Sequence, residues 1–529
     1  MCDEAAGGRL GPGHAPGPGS GGAEVREIGG PTAEGRLTPA LPHPRTSAPG
    51  AEGAATPAPP LARSSAPNTR TETDLLGSIH LPEGQLPGIH AARARAAFAV
   101  AGRPVDAGLI RAYGAVKLAC CRANRAAGGL DPAVAEALAA ACAEVMAGDH
   151  DEACAVDALA GGAGTALNLT VSEVVANRVC VLLGGAPGDG RCDPLADANR
   201  HQSTNDTFPT ALRIAAIRAV TALSERCVAL QEAFQATERA WAGLVCLGRT
   251  EGQDAVLMTM GRRFGGYAEA VARDRWRLSK VQERLRVVNL GGTAIGTGLG
   301  APRGYIFRVV EELRAITGLP LARAEHLVDG TANADAFAEV AGLLAAAAAT
   351  LIKISDDLRW LAAGPEGGPG ELRLPELIEG SSIMPGKINP VIPEMVVQAG
   401  LAALGDQQVI VQACARGCLE INPYLPLVAD RLLTMAGTLD RAVAALTTCV
   451  AGIQPVPERI AAHATAVTAE ATALATVLGH HTAGRLAQDA RASGRRVRDL
   501  AVERGLLTAD AADALLTPAA VLRLGHPGP

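Results

Sequence analysis

Aromatic side chains are nearly missing from this chain. At 2% of 529 residues they are too few for the stacking platforms that hold single-stranded nucleic acid. The formal net charge is −6 and is spread along the chain, so no basic face is offered to a phosphate backbone. Long apolar runs are also missing. The longest, "GLLAAAAATLI" (342–352), is too short to span a bilayer and is followed by charge, which predicts no membrane association. The twelve cysteines include no CxxC pair, and no His/Cys quartet has metal spacing, so no metal site is predicted. The N-terminus lacks a basic start followed by an apolar stretch. Reduced, mostly buried thiols in a cytoplasmic protein are the expectation.

Hydrophobic residues at 48% and charged residues at 19% suit a soluble globular protein with a large core. Alanine is abundant and favours helices, because it loses no side-chain entropy there. Residues 1–68 are Gly, Pro, Ala and Ser with few large apolar groups, which predicts a disordered tail. Beyond it, long helical patterns begin. Leu223, Cys227, Leu230 and Phe234 follow heptad spacing. So do Phe264, Tyr267, Val271, Leu278, Val281, Leu285 and Val288, broken only at Asp274. Such stripes predict bundle seams on long, uninterrupted helices packed nearly parallel or antiparallel. No strand–helix alternation and no internal repeat is visible, and short strands are expected only near loops.

Islands of small polar residues interrupt this pattern. They are "GGAGTALNLT" (161–170), "HQSTNDTFPTALRIA" (201–215), "GRTEGQDAVLMTMG" (248–261) and "GSSIMPGKINP" (380–390). Ser203, Thr204 and Asn205 precede a long helix with Pro209 placed in its first turn. Any one of these serines or threonines reads as a helix cap. Four such islands in a helical chain read as an anion site built from hydroxyls, amides and helix N-termini.

These islands, with "NLGGTAIGTGL" (289–299), "LPELIEGSS" (374–382) and "VRDLAVERGLLT" (497–508), resemble the fumarase/aspartase superfamily, its aspartase branch most of all. The resemblance runs from "RTETDLLG" (70–77) almost to the end. It implies an all-α, three-domain fold whose central long-helix bundle tetramerises, with each active site drawn from three subunits. On that basis the chain divides into the tail (1–68), an N-terminal helical domain (69–200), a central bundle domain (201–455) and a small C-terminal helical domain (456–529).

The resemblance implies reversible elimination of ammonia from L-aspartate to give fumarate, with no cofactor. Ser381, as an alkoxide, takes the proton beside the β-carboxylate. Thr165, Ser203, Thr204 and Ser382 hold that carboxylate as it gathers a second negative charge, and preorganised donors there supply the largest catalytic term. Thr250, Lys387 and Asn389 hold the other carboxylate, and Asn205, with help from Thr165, faces the amine. A serine ionises only where donors and positive potential converge. Lys387 and the loop amides supply these in principle, and Gly380 and Gly386 let the loop close. Outside this motif, Ser381 would read as a turn-forming serine. An ammonia-lyase needs no general acid, because the amine is already protonated.

Several positions depart from the family pattern. Glu251 stands where relatives carry histidine or glutamine. Glu394 matches the glutamate that pairs with that histidine in fumarases, so the two carboxyls are expected to share a proton. Ala166, Thr170 and Gly300 replace polar family residues, and "PGIHAARARAAF" (87–98) lacks a tyrosine, a threonine and an asparagine. These changes leave open a fumarase-like hydratase, a lyase for a modified aspartate, and a catalytically silent structural homologue. Adjacent His480 and His481 point in different directions on a helix and read as surface or interdomain residues.

Overall fold

The computed structural model describes residues 68–523 and 525. The predicted tail, apart from Asn68, lies outside them. Five long helices dominate: Thr204–Ala240, Met260–Ser279, Asp335–Leu361, Val391–Cys414 and Leu425–Gly452. They close a ring. The Thr204 helix packs on the Met260 and Leu425 helices, the Leu425 helix on the Val391 helix, and the Val391 helix on the Asp335 helix. The Asp335 helix returns to the Met260 helix. The longest apolar run lies within the Asp335 helix, whose Leu344, Ala348 and Leu351 are buried.

Both heptad stripes are buried. Leu223, Leu230, Phe234, Phe264, Val271 and Leu278 are each at most 2% exposed. The gap in the second stripe, Asp274, is buried too, and its carboxylate pairs with Arg277 one turn on. The expected continuity of that stripe does not hold. The Met260 helix stops at Ser279, Val281–Leu285 forms a separate short helix, and Val287–Val288 becomes a strand paired in parallel with Ala322–Arg323. Apolar spacing survives across the break because all three pieces face one core, which spacing alone cannot distinguish from one helix. Three more two-stranded sheets occur among the described residues, all antiparallel.

One hydrophobic core runs from Ala94 to Ile460, and a smaller cluster centred on Leu474, Leu486 and Val497 holds the C-terminal helices together. Of the eleven cysteines among the described residues, nine are buried, and none is in a disulfide. His480 and His481 open the helix His480–Ser493 and are exposed.

Two helix N-termini are brought together by a glycine. The Thr165–Leu182 helix begins after Gly164, whose φ is +97°. A Cβ at Gly164 would lie 2.0 Å from Cδ2 of Phe208 in the Thr204 helix. Both the backbone conformation and the close approach require glycine. Gly164→Ala is expected to cost about 3 kcal/mol, from left-handed strain plus overpacking. Denaturant unfolding checks this, and a variant as stable as the parent would contradict it.

Candidate active site

The Thr204 helix starts with a capping box. Ser203 Oγ accepts from the Asn205 N–H at 3.2 Å, while the Ser203 N–H donates to Asp206 at 3.0 Å. The other Asp206 oxygen accepts from the N–H groups of Gly291 and Thr293, at 3.1 and 3.0 Å. One buried carboxylate therefore fastens the 289–299 island onto the 201–215 island. Burial pushes its pKa up to about 7, against these three N–H groups and Lys117, which hold it down.

Pro209 lies in the second turn, not the first as the sequence suggested. It has no N–H for the carbonyl four residues back, that of Asn205. Asn289 replaces the missing donor: its Nδ2 donates to the Asn205 carbonyl at 2.9 Å and to Thr331 Oγ1 at 2.9 Å. The Asn205 side chain itself donates to the Ala294 carbonyl at 2.7 Å.

The Thr165 helix joins this corner through Asn168, whose Nδ2 donates to Thr204 Oγ1 at 3.0 Å and Asn199 Oδ1 at 3.2 Å. Thr204 is buried, whereas Thr165 is exposed at the first turn of its helix. Beneath them, Lys117 donates to Ser172 Oγ at 2.9 Å and Asn199 Oδ1 at 2.8 Å. Burial lowers its pKa to about 8. The corner thus combines two helix N-termini with a buried ammonium, and each favours an anion. Beside Thr165 a cavity of about 1170 Å³ opens, walled in part by His90, Arg93 and Ala166. Thr170 does not reach it. That side chain is fully buried and its hydroxyl has no partner, so this departure alters the core rather than the pocket. Gly300 takes a φ of +84°, a conformation that asparagine also tolerates.

Thr250 and Glu251 occupy the tip of a hairpin made by Val245–Thr250 and Gln253–Thr259. Glu251 and Gly252 have φ of +54° and +74°, the pattern of a tight two-residue turn. Both Thr250 and Glu251 are exposed. The preceding residue anchors the tip: Arg249 donates to fully buried Glu371 at 2.6 Å, which also pairs with His463 at 2.8 Å. Glu394 lies in the first turn of the Val391 helix. Among the described residues no hydrogen bond joins Glu251 to Glu394.

The 380–390 loop leads into that helix and is closed on itself. The Gly380 N–H donates to the Lys387 carbonyl at 2.8 Å, and Asn389 Nδ2 donates to the Gly380 carbonyl at 2.9 Å. A Cβ at Gly380 would lie 2.6 Å from the Lys387 carbonyl oxygen, so this glycine serves close approach rather than a hinge. Ser381 Oγ accepts from the N–H groups of Ile383 and Met384, at 3.2 and 3.0 Å. This is a serine turn, and it also surrounds the hydroxyl oxygen with two donors. Ser382 and Lys387 are exposed. No hydrogen bond among the described residues ties this loop to the hairpin tip or to the Thr165–Asn205 corner. Within one chain, hydrogen bonds therefore leave the residues singled out from sequence in three unlinked groups.

Lys117, Asn168, Asp206, Asn289 and Glu371 were not singled out. Asp206 was legible as the third residue of a capping box. Lys117 had a compositional signal, being one of only four lysines among 48 basic residues. The two asparagines and Glu371 act through contacts distant in sequence, which no local pattern displays.

Comparison with known proteins agrees with this architecture. The chain matches the family described as Lyase over residues 77–405 and the fumarase C C-terminus over 471–523. It is 35% identical to an aspartate ammonia-lyase from a Bacillus species, covering 87% of this chain and 98% of that one. It is 37% identical to a class II fumarate hydratase from Rhizobium meliloti, covering 85% and 98%. Among solved structures, a fumarate lyase:delta crystallin from Brucella melitensis aligns with a TM-score of 0.83 at 38% identity, over 86% of this chain and 100% of that one. The protein is therefore a lyase. More narrowly, the chain belongs to the fumarase/aspartase superfamily, with the helical fold of that group.

Proposed function

We propose that this lyase is an aspartate ammonia-lyase, interconverting L-aspartate with fumarate and ammonia. The observation that carries the reading is the setting of Ser381, whose oxygen receives two backbone N–H groups on a loop that also holds Lys387. Donors in this arrangement favour the alkoxide over the alcohol. Ser381 takes the proton from the carbon beside the β-carboxylate, and the electron pair of that C–H bond passes into the carboxylate. The resulting dianion is held by Thr165, Ser203, Thr204 and Ser382. Collapse forms the double bond and breaks the C–N bond, so the ammonium group departs as neutral ammonia. Thr250, Lys387 and Asn389 hold the second carboxylate, and Asn205 faces the amine.

No hydrogen bond among the described residues links these groups within one chain, and the reading requires a homotetramer in which three subunits complete each site. The exposed apolar side chains on the Val391 helix support this assembly. Met395, Leu401, Val409 and Val411 are 38–57% exposed, and burying what remains offers about 1 kcal/mol each.

Glu251 favours aspartate over malate. Its tip position lets it either imitate glutamine or hold the substrate ammonium. Either role suits an amine leaving group better than a hydroxyl. Fumarate absorbance with L-aspartate, measured beside L-malate, tests the reading: aspartate turnover should exceed malate turnover by at least about tenfold. Turnover of malate alone would assign a hydratase. Glu251→Gln is expected to preserve or raise aspartate turnover, and complete loss would reject the glutamine-like role.

A further inference from the structure

Behind the hairpin tip lies a second cavity that the elimination chemistry does not use. Its volume is about 730 Å³, and its walls are the Met260 and Asp335 helices and the hairpin. Five cations line it: Arg249, Arg262, Arg263, Arg273 and Lys353. The one lining carboxylate, Asp357, is occupied by Lys353 and by the Tyr267 hydroxyl, which donates to it at 2.9 Å. From behind, buried Glu371 balances part of the charge on Arg249 and Arg263. Five cations against two carboxylates leave three positive charges in excess. Arg262 and Arg273 are exposed and have no ion partner among the described residues, Arg262 Nη1 donates to the Leu522 carbonyl at 3.1 Å, and Arg249 Nη1 is buried without a hydrogen-bond partner.

The cations form a row rather than a point. Arg262 and Arg273 are three turns apart on one helix, about 16 Å along its axis. A four-carbon dicarboxylate is too short to engage both ends. A chain of phosphoryl groups carrying an organic ring matches the row better, because guanidinium forks pair with phosphate oxygens two at a time. Trp360 supplies a flat wall beside the row. It is 43% exposed, with the Arg249 guanidinium 5.0 Å from its ring centre.

We propose that this cavity binds an organic polyphosphate, an anion with two or more phosphoryl groups and a ring that lies against Trp360. The assignment is independent of which substrate the lyase uses. Gly252 of the hairpin tip forms part of the same wall, so the bound anion sits directly behind Thr250 and Glu251.

Calorimetric titration of the full chain tests it, with a nucleoside triphosphate and with tripolyphosphate, in chelator and at matched ionic strength. Saturable uptake of one nucleotide per chain is expected, with tripolyphosphate weaker by about threefold or more. Arg273→Ala combined with Lys353→Ala should weaken nucleotide binding about tenfold or more. Arg262→Gln combined with Arg273→Gln provides a second pair of exposed changes with the same expected direction, removing from the fold only the Arg262 bond to the Leu522 carbonyl. Ser381→Ala and saturating fumarate should leave binding unchanged. Absence of saturable binding, undiminished binding in both pairs, or displacement by fumarate would overturn the proposal. Equal affinity for tripolyphosphate would remove Trp360, and the organic part of the ligand, from it.

Discussion

Ser381→Ala is expected to lower kcat for fumarate formation by about 10³-fold while changing KM little. The Ser381 oxygen is the acceptor of two loop N–H groups. Removing it takes away the group that is to receive the substrate proton, not a group that holds the substrate. The rest of the loop has its own support, because the Gly380–Lys387 pairing and the Asn389 bond do not involve Ser381. Ser382→Ala is the internal comparison. Ser382 is exposed and its hydroxyl makes no hydrogen bond among the described residues. Its loss should lower kcat by a smaller factor, about tenfold or more, as one of the four side-chain donors to the dianion disappears. Steady-state absorbance kinetics distinguish the two patterns. A Ser381→Ala enzyme within a factor of about ten of the parent would place the base elsewhere.

Asp206→Asn should damage the protein more than its size suggests. The native carboxylate faces three N–H donors and presents only acceptors to them. Asparagine must turn its NH2 toward Ser203 or toward Gly291 and Thr293, setting donor against donor in a buried place. The expected loss is about 3 kcal/mol, from unsatisfied buried groups and a lost charge-assisted contact. The 289–299 island should loosen, since this carboxylate is one of the ties to the Thr204 helix, beside the Asn289 bond to the Asn205 carbonyl and the Asn205 bond to the Ala294 carbonyl. Lower Tm with faster amide exchange at Gly291 and Thr293 would bear this out. A variant with unchanged Tm and unchanged protection would show that the Asp206 carboxylate is not needed to hold the island.

Much of the helical scaffold was legible in advance, because buried helix faces must repeat every three or four residues. Leu223 through Phe234 show this directly. The same rule misled beyond Leu278, where Val281, Leu285 and Val288 keep the spacing but belong to a short helix and a strand. Apolar spacing records which side chains face the core, not whether the backbone between them stays helical. Pro209 shows a related limit. Its place near a helix start was apparent, but its tolerance in the second turn depends on Asn289, eighty residues later. Ser203, Thr204, Asn205 and Thr165 were legible as one chemical class, and the fold brings their two helix starts together. Ser381, Lys387 and Thr250 were equally legible as types, yet within one chain no hydrogen bond among the described residues links the Ser381 loop to Thr250.

By itself the sequence determined the superfamily, the helical class, and the supply of hydroxyl, amide and ammonium groups suited to an anion. These are properties of residue type and local spacing, which survive without coordinates. Only the tertiary structure decided that Asp206 and Asn289 fasten one island to another, that Lys117 lies beneath two helix starts, and that five cations line a cavity behind the hairpin. Those arrangements depend on contacts between segments far apart in the chain, and solvation and charge at such contacts follow from burial, which no local pattern encodes.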